Sequence, residues 1–140
     1  MPFRIYPTVA ETIETHRLLI EEFGGLHGVR DMGLLESAVF RPRNGYYSGL
    51  IEEASALMES LANNHAFIDG NKRISFVMTD AMLRANGYFL DVEPLEAHKL
   101  MTEAMERNGF RFLMIRDWIT SNIKVLIIEE KKKKSRMPRP

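Results

Sequence analysis

The 140 residues contain no cysteine, which excludes a disulfide framework and a thiolate zinc site. Long apolar runs are missing as well. None approaches the ~20 residues needed to cross a bilayer, and nothing at the amino end joins a basic start to a long apolar stretch as a secretory signal would. A cytoplasmic protein is the expectation from these absences. The chain also lacks net charge: nineteen Lys and Arg cancel nineteen Asp and Glu. The total charge therefore points to neither a nucleic-acid nor a membrane surface as partner. No internal repeat is visible.

The zero balance hides a segregation. Residues 131–140, KKKKSRMPRP, hold six of the nineteen basic side chains and no acid, so the preceding 130 residues are acidic overall. Such a lysine run predicts a solvated, disordered tail. With 45% hydrophobic residues, the chain has material for one domain around one core. The domain is expected over 1–128 and the tail over 129–140.

Periodicity predicts an all-α fold. Thr8 and Glu11 have the spacing of a capping box. They open a helix to about Phe23 whose apolar side carries Val9, Ile13, Ile20 and Phe23, with His16 at the edge of the core. Gly24 and Gly25 end it. Asp31 is placed to cap a short helix carrying Leu34, Leu35, Ala38 and Val39, which Pro42 terminates. Asn44-Gly45 is a turn signal, and 41–49 reads as an exposed flap or hairpin. Helical spacing resumes at Leu50 with Ala54, Leu57, Met58, Leu61 and Ala62. It resumes again after residue 70 with Ile74, Val77, Met78, Ala81, Met82 and Ala85, a stripe widened by Phe76 and Leu83. That second helix, about 72–86, is expected at the centre of the core. YFLDV has extended character, Pro94 suits a first helical turn, and a final helix is expected from about Arg111 to Ile128. The sum is a compact bundle of about six helices.

The stretch NHAFIDGNKRISF, residues 64–76, stands where one helical pattern stops and the next begins. The first amides of a helix lack internal acceptors, and the macrodipole leaves roughly half a positive charge there, which attracts an anion. Gly70 permits close approach of a ligand to the backbone. Lys72 offers a point charge, and Arg73 a planar fork for two phosphate oxygens. Asp69 fits beside phosphate when a divalent cation lies between them, since magnesium is commonly held by a carboxylate together with phosphate oxygens. His65 supplies the side-chain type suited to taking a proton from a hydroxyl near neutral pH. Together these residues suggest phosphoryl or nucleotidyl transfer. Position alone leaves a plainer reading equally open, in which Asp69 or Asn71 caps the buried helix, His65 is a loop histidine and Phe67 plugs the core.

HAFIDGNKR resembles the signature of the Fic/Doc family, and within it the Doc, or death-on-curing, branch, whose pattern is His-x-Phe-x-Asp/Asn-x-Asn-Lys-Arg. The likeness extends to EEFGGLHGVRDMGLLESAVFRPR upstream and RANGYFL downstream, covering most of residues 5–125. The resemblance implies the all-helical Fic fold, His65 as catalytic base, Asp69 as magnesium ligand, and Gly70, Asn71, Lys72 and Arg73 around the phosphates of ATP. In the wider family the loop reads Gly-Asn-Gly-Arg with a second arginine three positions on, and those enzymes commonly transfer AMP to a protein hydroxyl. Here Lys72 replaces the second glycine and Phe76 the second arginine, so the anion hole is narrower and lacks a phosphate clamp. The Doc branch shares both changes. There the nucleotide is held in the reversed sense, and the γ-phosphate passes to a threonine of elongation factor Tu, blocking translation. A protein kinase is therefore expected, with an AMP-transferase as the alternative and an inactive binding module third.

No glutamate here precedes glycine or asparagine, so the inhibitory helix motif of many Fic proteins is absent. The resemblance then implies a small Phd-like antitoxin that folds against the protein and inhibits it. Related proteins hold the target segment by main-chain pairing beside a flap, which makes Tyr46 and Tyr47 of 41–49 the candidate docking residues. His27 and His98 stand in no motif, and Asp80 and Arg84 read as a helical pair.

Overall fold

Thr8 opens the first helix by the box its spacing predicts. Its hydroxyl accepts the Glu11 amide at 3.1 Å, and the Glu11 carboxylate accepts the Thr8 amide at 2.8 Å. In the computed structural model, which describes residues 3–127, helix α1 runs Val9–Phe23 and stops at Gly24, whose φ of +89° suits glycine. It buries Thr12, His16 and Ile20, one residue per turn along a narrow stripe. Asp31 caps α2 (Met32–Phe40) by accepting the Leu34 amide at 3.0 Å. Then follow α3 (Gly49–Asn63), α4 (Asn71–Ala85), α5 (Pro94–Glu106, with Pro94 in its first turn) and α6 (Phe112–Asn122). The expected all-α bundle of six helices is what forms.

Helices α3 and α4 share the centre of the core. They pack more extensively against each other than any other pair, and α6 lies against α3. Helix α4 holds the position its stripe predicts through Ile74, Met78, Met82 and Leu83, but Phe76 and Val77 stay half-buried and Ala81 and Ala85 are exposed. The more deeply buried helix is α3, from Ala54 through Ala62 except for Glu59. Leu57, Met58 and Leu61 are essentially inaccessible, and each removes apolar surface worth about 1.5–3 kcal/mol. The alanines and Ser55 and Ser60 let neighbouring helices approach it closely.

Two expectations are corrected. The last helix ends at Asn122 rather than near 128, and Ile123–Val125 forms strand β2, paired antiparallel with β1 (Tyr88–Leu90) in the register Tyr88↔Val125 and Leu90↔Ile123. Ile123, Val125 and Ile127 alternate with period two. β-branched residues favour a pleated pairing when a partner edge is free, and Gly87 and Leu90 provide that edge. The second correction is at 41–49, which is largely exposed as a flap would be but forms no hairpin. Arg41–Arg43 makes a single 3₁₀ turn, residues 44–48 are irregular, and α3 begins at Gly49. Arg41 explains this, because its guanidinium binds the Tyr47 phenol at 2.7 Å, Glu59 at 2.7 Å and Ser60 at 2.9 Å. Arg41 and Tyr47 are thereby tied to α3, while the residues between them stay largely exposed. The basic tail at 129–140 lies outside the described residues.

Candidate active site

The loop between α3 and α4 carries the residues that the sequence singles out. His65 has a φ of +54°, a left-handed conformation costing a non-glycine residue about 1–2 kcal/mol. Arg30 holds it there: its Nε donates to the His65 carbonyl at 2.6 Å and a terminal nitrogen to the Asn64 carbonyl at 3.3 Å. The imidazole of His65 is left exposed. Two residues on, Phe67 turns inward and is 1% exposed. Asn71 clamps its main chain at both polar atoms, accepting the Phe67 amide at 3.1 Å and donating to the Phe67 carbonyl at 2.9 Å. The side chain of Asn71 is thus spent on shaping the loop, and only its main-chain amide is left to face a ligand.

Asp69 sits at the lip. One carboxylate oxygen accepts the Leu26 amide at 3.0 Å, the other the Gly70 amide at 2.8 Å. These bonds, the Leu26 amide first, hold the carboxyl below the usual aspartate range, with Arg73 and His16 adding to the effect. It is therefore an anion throughout the neutral range. Gly70 follows at φ +75° as the residue before α4, where no side chain caps the helix. The amides of Asn71, Lys72 and Arg73 are the helix-start donors without intrahelical acceptors. They open on a cavity of about 300 Å³ lined by His65, Asp69, Gly70, Asn71, Lys72, Arg73 and His98. Neither the Lys72 ammonium nor the Arg73 guanidinium has an ion-pair partner among the described residues. Arg73 lies over the Phe23 ring at 4.9 Å, a contact that leaves its fork free to bind an anion.

A histidine, an anionic carboxylate and an uncapped helix start thus share one cavity. The Fic/DOC family model matches residues 6–83, which is α1 through most of α4 and includes every residue of this loop. The chain belongs to the Fic/DOC family. It is similar to the protein named Toxin Doc of Mycolicibacterium smegmatis (strain ATCC 700084 / mc(2)155), with 42% identity over 93 residues, 61% of this chain and 72% of that one. The Doc-type signature of this Fic/DOC protein falls within the matched span.

Several of this Fic/DOC protein's site residues escape a reading of sequence. The connection between α1 and α2 lies directly against the signature loop. The Ile68 amide donates to the Gly28 carbonyl at 3.0 Å and the Arg30 amide to the Ala66 carbonyl at 2.7 Å, so that Val29 faces Phe67 in an antiparallel bridge. Gly25 is required there, since a Cβ at that position would stand 2.8 Å from an Asp69 oxygen. His16 is no edge residue: it is 3% exposed, stacks on Phe67 with ring centroids 3.9 Å apart, and meets the Asp69 carbonyl at 2.7 Å. His98, from α5, faces the cavity beside Lys72 and Arg73. Partial burial lowers its imidazole from the ordinary histidine value, and the two cations lower it further. His27 remains an exposed loop residue. Tyr46 and Tyr47 do not line the cavity. Tyr46 projects into solvent, whereas Tyr47 packs against Phe112 with centroids 5.4 Å apart.

Proposed function

We propose that this Fic/DOC protein is a toxin of a toxin–antitoxin pair, an enzyme that moves the γ-phosphoryl group of ATP to a serine or threonine hydroxyl of a protein. The observation that carries the reading is the uncapped start of α4 with Asp69 beside it and His65 across the same cavity. The main-chain amides of Asn71 and Lys72, with the Lys72 ammonium and the Arg73 guanidinium, receive phosphate oxygens. Magnesium fits Asp69 because the carboxylate is held ionised and each oxygen keeps a lone pair beyond its amide bond. No cluster of three His, Asp or Glu among the described residues could cage a metal unaided, so the nucleotide's own oxygens would complete the coordination. Bound there, the ion supplies charge neutralisation at the phosphates.

The chemistry left to the chain is small. His65 accepts the hydroxyl proton as the target oxygen bonds to the γ-phosphorus; the bond from that phosphorus to the bridging oxygen breaks, and ADP departs. Transfer of the γ-phosphoryl group rather than of AMP is favoured by Phe76. It stands where a second arginine would clamp phosphate, and its ring lines the neighbouring apolar groove rather than the anionic cavity. Target docking belongs to the α1–α2 connection rather than to Tyr46 and Tyr47. Val29 turns its own amide and carbonyl away from Phe67, with no partner among the described residues, an edge suited to an extended segment.

The test is the position of a label. With elongation factor Tu as the first substrate tried, label at the γ-phosphate of ATP passes to protein, label at the α-phosphate does not, and His65→Ala abolishes transfer. Transfer from the α position would establish AMP transfer instead, and transfer from neither, with toxicity unchanged in His65→Ala, a binding module. The Phd-like antitoxin is checked by binding of the neighbouring reading frame's product, which should suppress label transfer when added in equal amount.

A further inference from the structure

His16 is the one buried histidine of the described residues, and it does not line the cavity that carries His65. What it touches is the hinge of the signature loop. The Asp69–Gly70 peptide is gripped at both ends. Its carbonyl oxygen lies 2.7 Å from His16 Nε2, and its amide donates to the Asp69 carboxylate at 2.8 Å. A carbonyl can only accept, so Nε2 must carry the hydrogen. The imidazole is itself immobilised by stacking on Phe67 at an interplanar angle of 11°. Gly70 packs against the same wall, where a Cβ would meet Ile20 at 3.3 Å and His16 Nε2 at 3.5 Å.

We propose that His16 is the positioning residue of the anion site: it anchors the Asp69 carbonyl on the core side, which fixes the adjoining peptide and so aims the Asp69 carboxylate at the lip of the cavity. The physical reason is the freedom of the next residue. Gly70 sits at positive φ with no Cβ, where rotation of the preceding peptide meets little steric resistance. If the carbonyl swung outward, its partial negative charge would face the bound phosphates, and the Gly70 amide would abandon the Asp69 carboxylate. One hydrogen bond from α1 thus couples the helix to the electrostatics of the site. This inference rests on the nucleotide-binding reading for its consequence, but not for its geometry.

Two variants separate donor from ring. His16→Phe keeps an aromatic face against Phe67 without the donor, and His16→Gln restores a nitrogen donor at a similar reach. Calorimetry with magnesium and ATP should show affinity about tenfold weaker in His16→Phe, the scale of one hydrogen bond lost at a part-buried carbonyl, with His16→Gln recovering most of it. Amide exchange, corrected for global stability, should be faster at Gly70 and Leu26 in His16→Phe alone. Unchanged exchange at both amides would overturn the proposal whether or not nucleotide binds. Failure of the wild-type protein to bind nucleotide, with exchange altered as expected, would instead sink the functional reading and leave the positioning role standing. Should His16→Phe not fold, the nitrogen resonances of the wild-type imidazole decide the matter: a ring bearing hydrogen only on Nδ1 would refute the bond.

Discussion

At the scale of the residue, the site is defined by which polar groups are already committed. Asn71 uses both side-chain atoms on Phe67, and Arg30 uses its guanidinium on the carbonyls of Asn64 and His65. The side chains of Lys72 and Arg73 and the imidazole of His65 are committed to no hydrogen bond or ion pair among the described residues. Gly25 shows how narrow the tolerances are. Gly25→Ala places a methyl group 2.8 Å from an Asp69 oxygen at a φ of +117°, a strain of about 1–3 kcal/mol that would move the carboxylate off the Leu26 amide. The expected outcome is an unfolding free energy in urea lower by that amount and loss of magnesium-dependent nucleotide binding, both measurable on the purified variant. His98 gives a prediction with a sign. Its folded pKa is depressed, so the unfolded chain binds the extra proton, and its contribution to stability is lost as pH falls from the ordinary histidine value of ~6.5 through the folded one. Bound phosphates would offset the charge of Lys72 and Arg73, part of the cause of the depression. Binding should therefore take up protons in slightly acidic solution. Calorimetry in buffers of differing ionisation heat should detect this uptake in the wild type and find it reduced in His98→Ala.

At the scale of the element, local signals decided what could be read in advance. The capping pair Thr8 and Glu11, Asp31, Gly70 and Pro94 each act on their own turn of chain, and each helix start appears where they stand. That His65, Asp69 and the start of α4 meet at one cavity was likewise legible, because helix start, carboxylate and histidine fall within nine residues. What sequence could not show was supplied from a distance. β2 exists because Gly87–Leu90 lies within reach, His16 matters because α1 packs on the signature loop 53 residues away, and residues 41–49 are held by Arg41. Glu59 is the keystone of that last arrangement. One carboxylate oxygen pairs with Arg41 at 2.7 Å, and the other accepts the Phe112 amide at 2.9 Å, where α6 begins. Glu59→Ala removes an acceptor from a half-buried guanidinium and the cap of α6. A loss of about 2 kcal/mol in urea unfolding is expected after allowance for solvent around Arg41, with label transfer preserved, since neither group reaches the cavity.

At the scale of the whole molecule, the cavity is assembled from segments that are distant in sequence. The α1–α2 connection holds Asp69, the signature loop brings His65, α4 provides the amides and cations, and α5 contributes His98. A ligand that touches all of these must be gripped by the folded chain and not by any fragment. Binding to the native state alone raises stability by RT ln(1 + [L]/Kd), about 2.7 kcal/mol at a hundredfold excess over Kd. For a chain of this size, that is a rise of roughly 10 °C in the thermal midpoint. Magnesium with ATP should produce such a shift in a single cooperative transition. Asp69→Asn should eliminate most of it while unfolding within a few degrees of the wild type, because an amide oxygen can still accept the Leu26 or Gly70 amide but cannot supply the anion that holds the cation. A full shift in Asp69→Asn would show that the phosphates are bound without this carboxylate, and the role given to Asp69 would have to pass to another residue of the cavity.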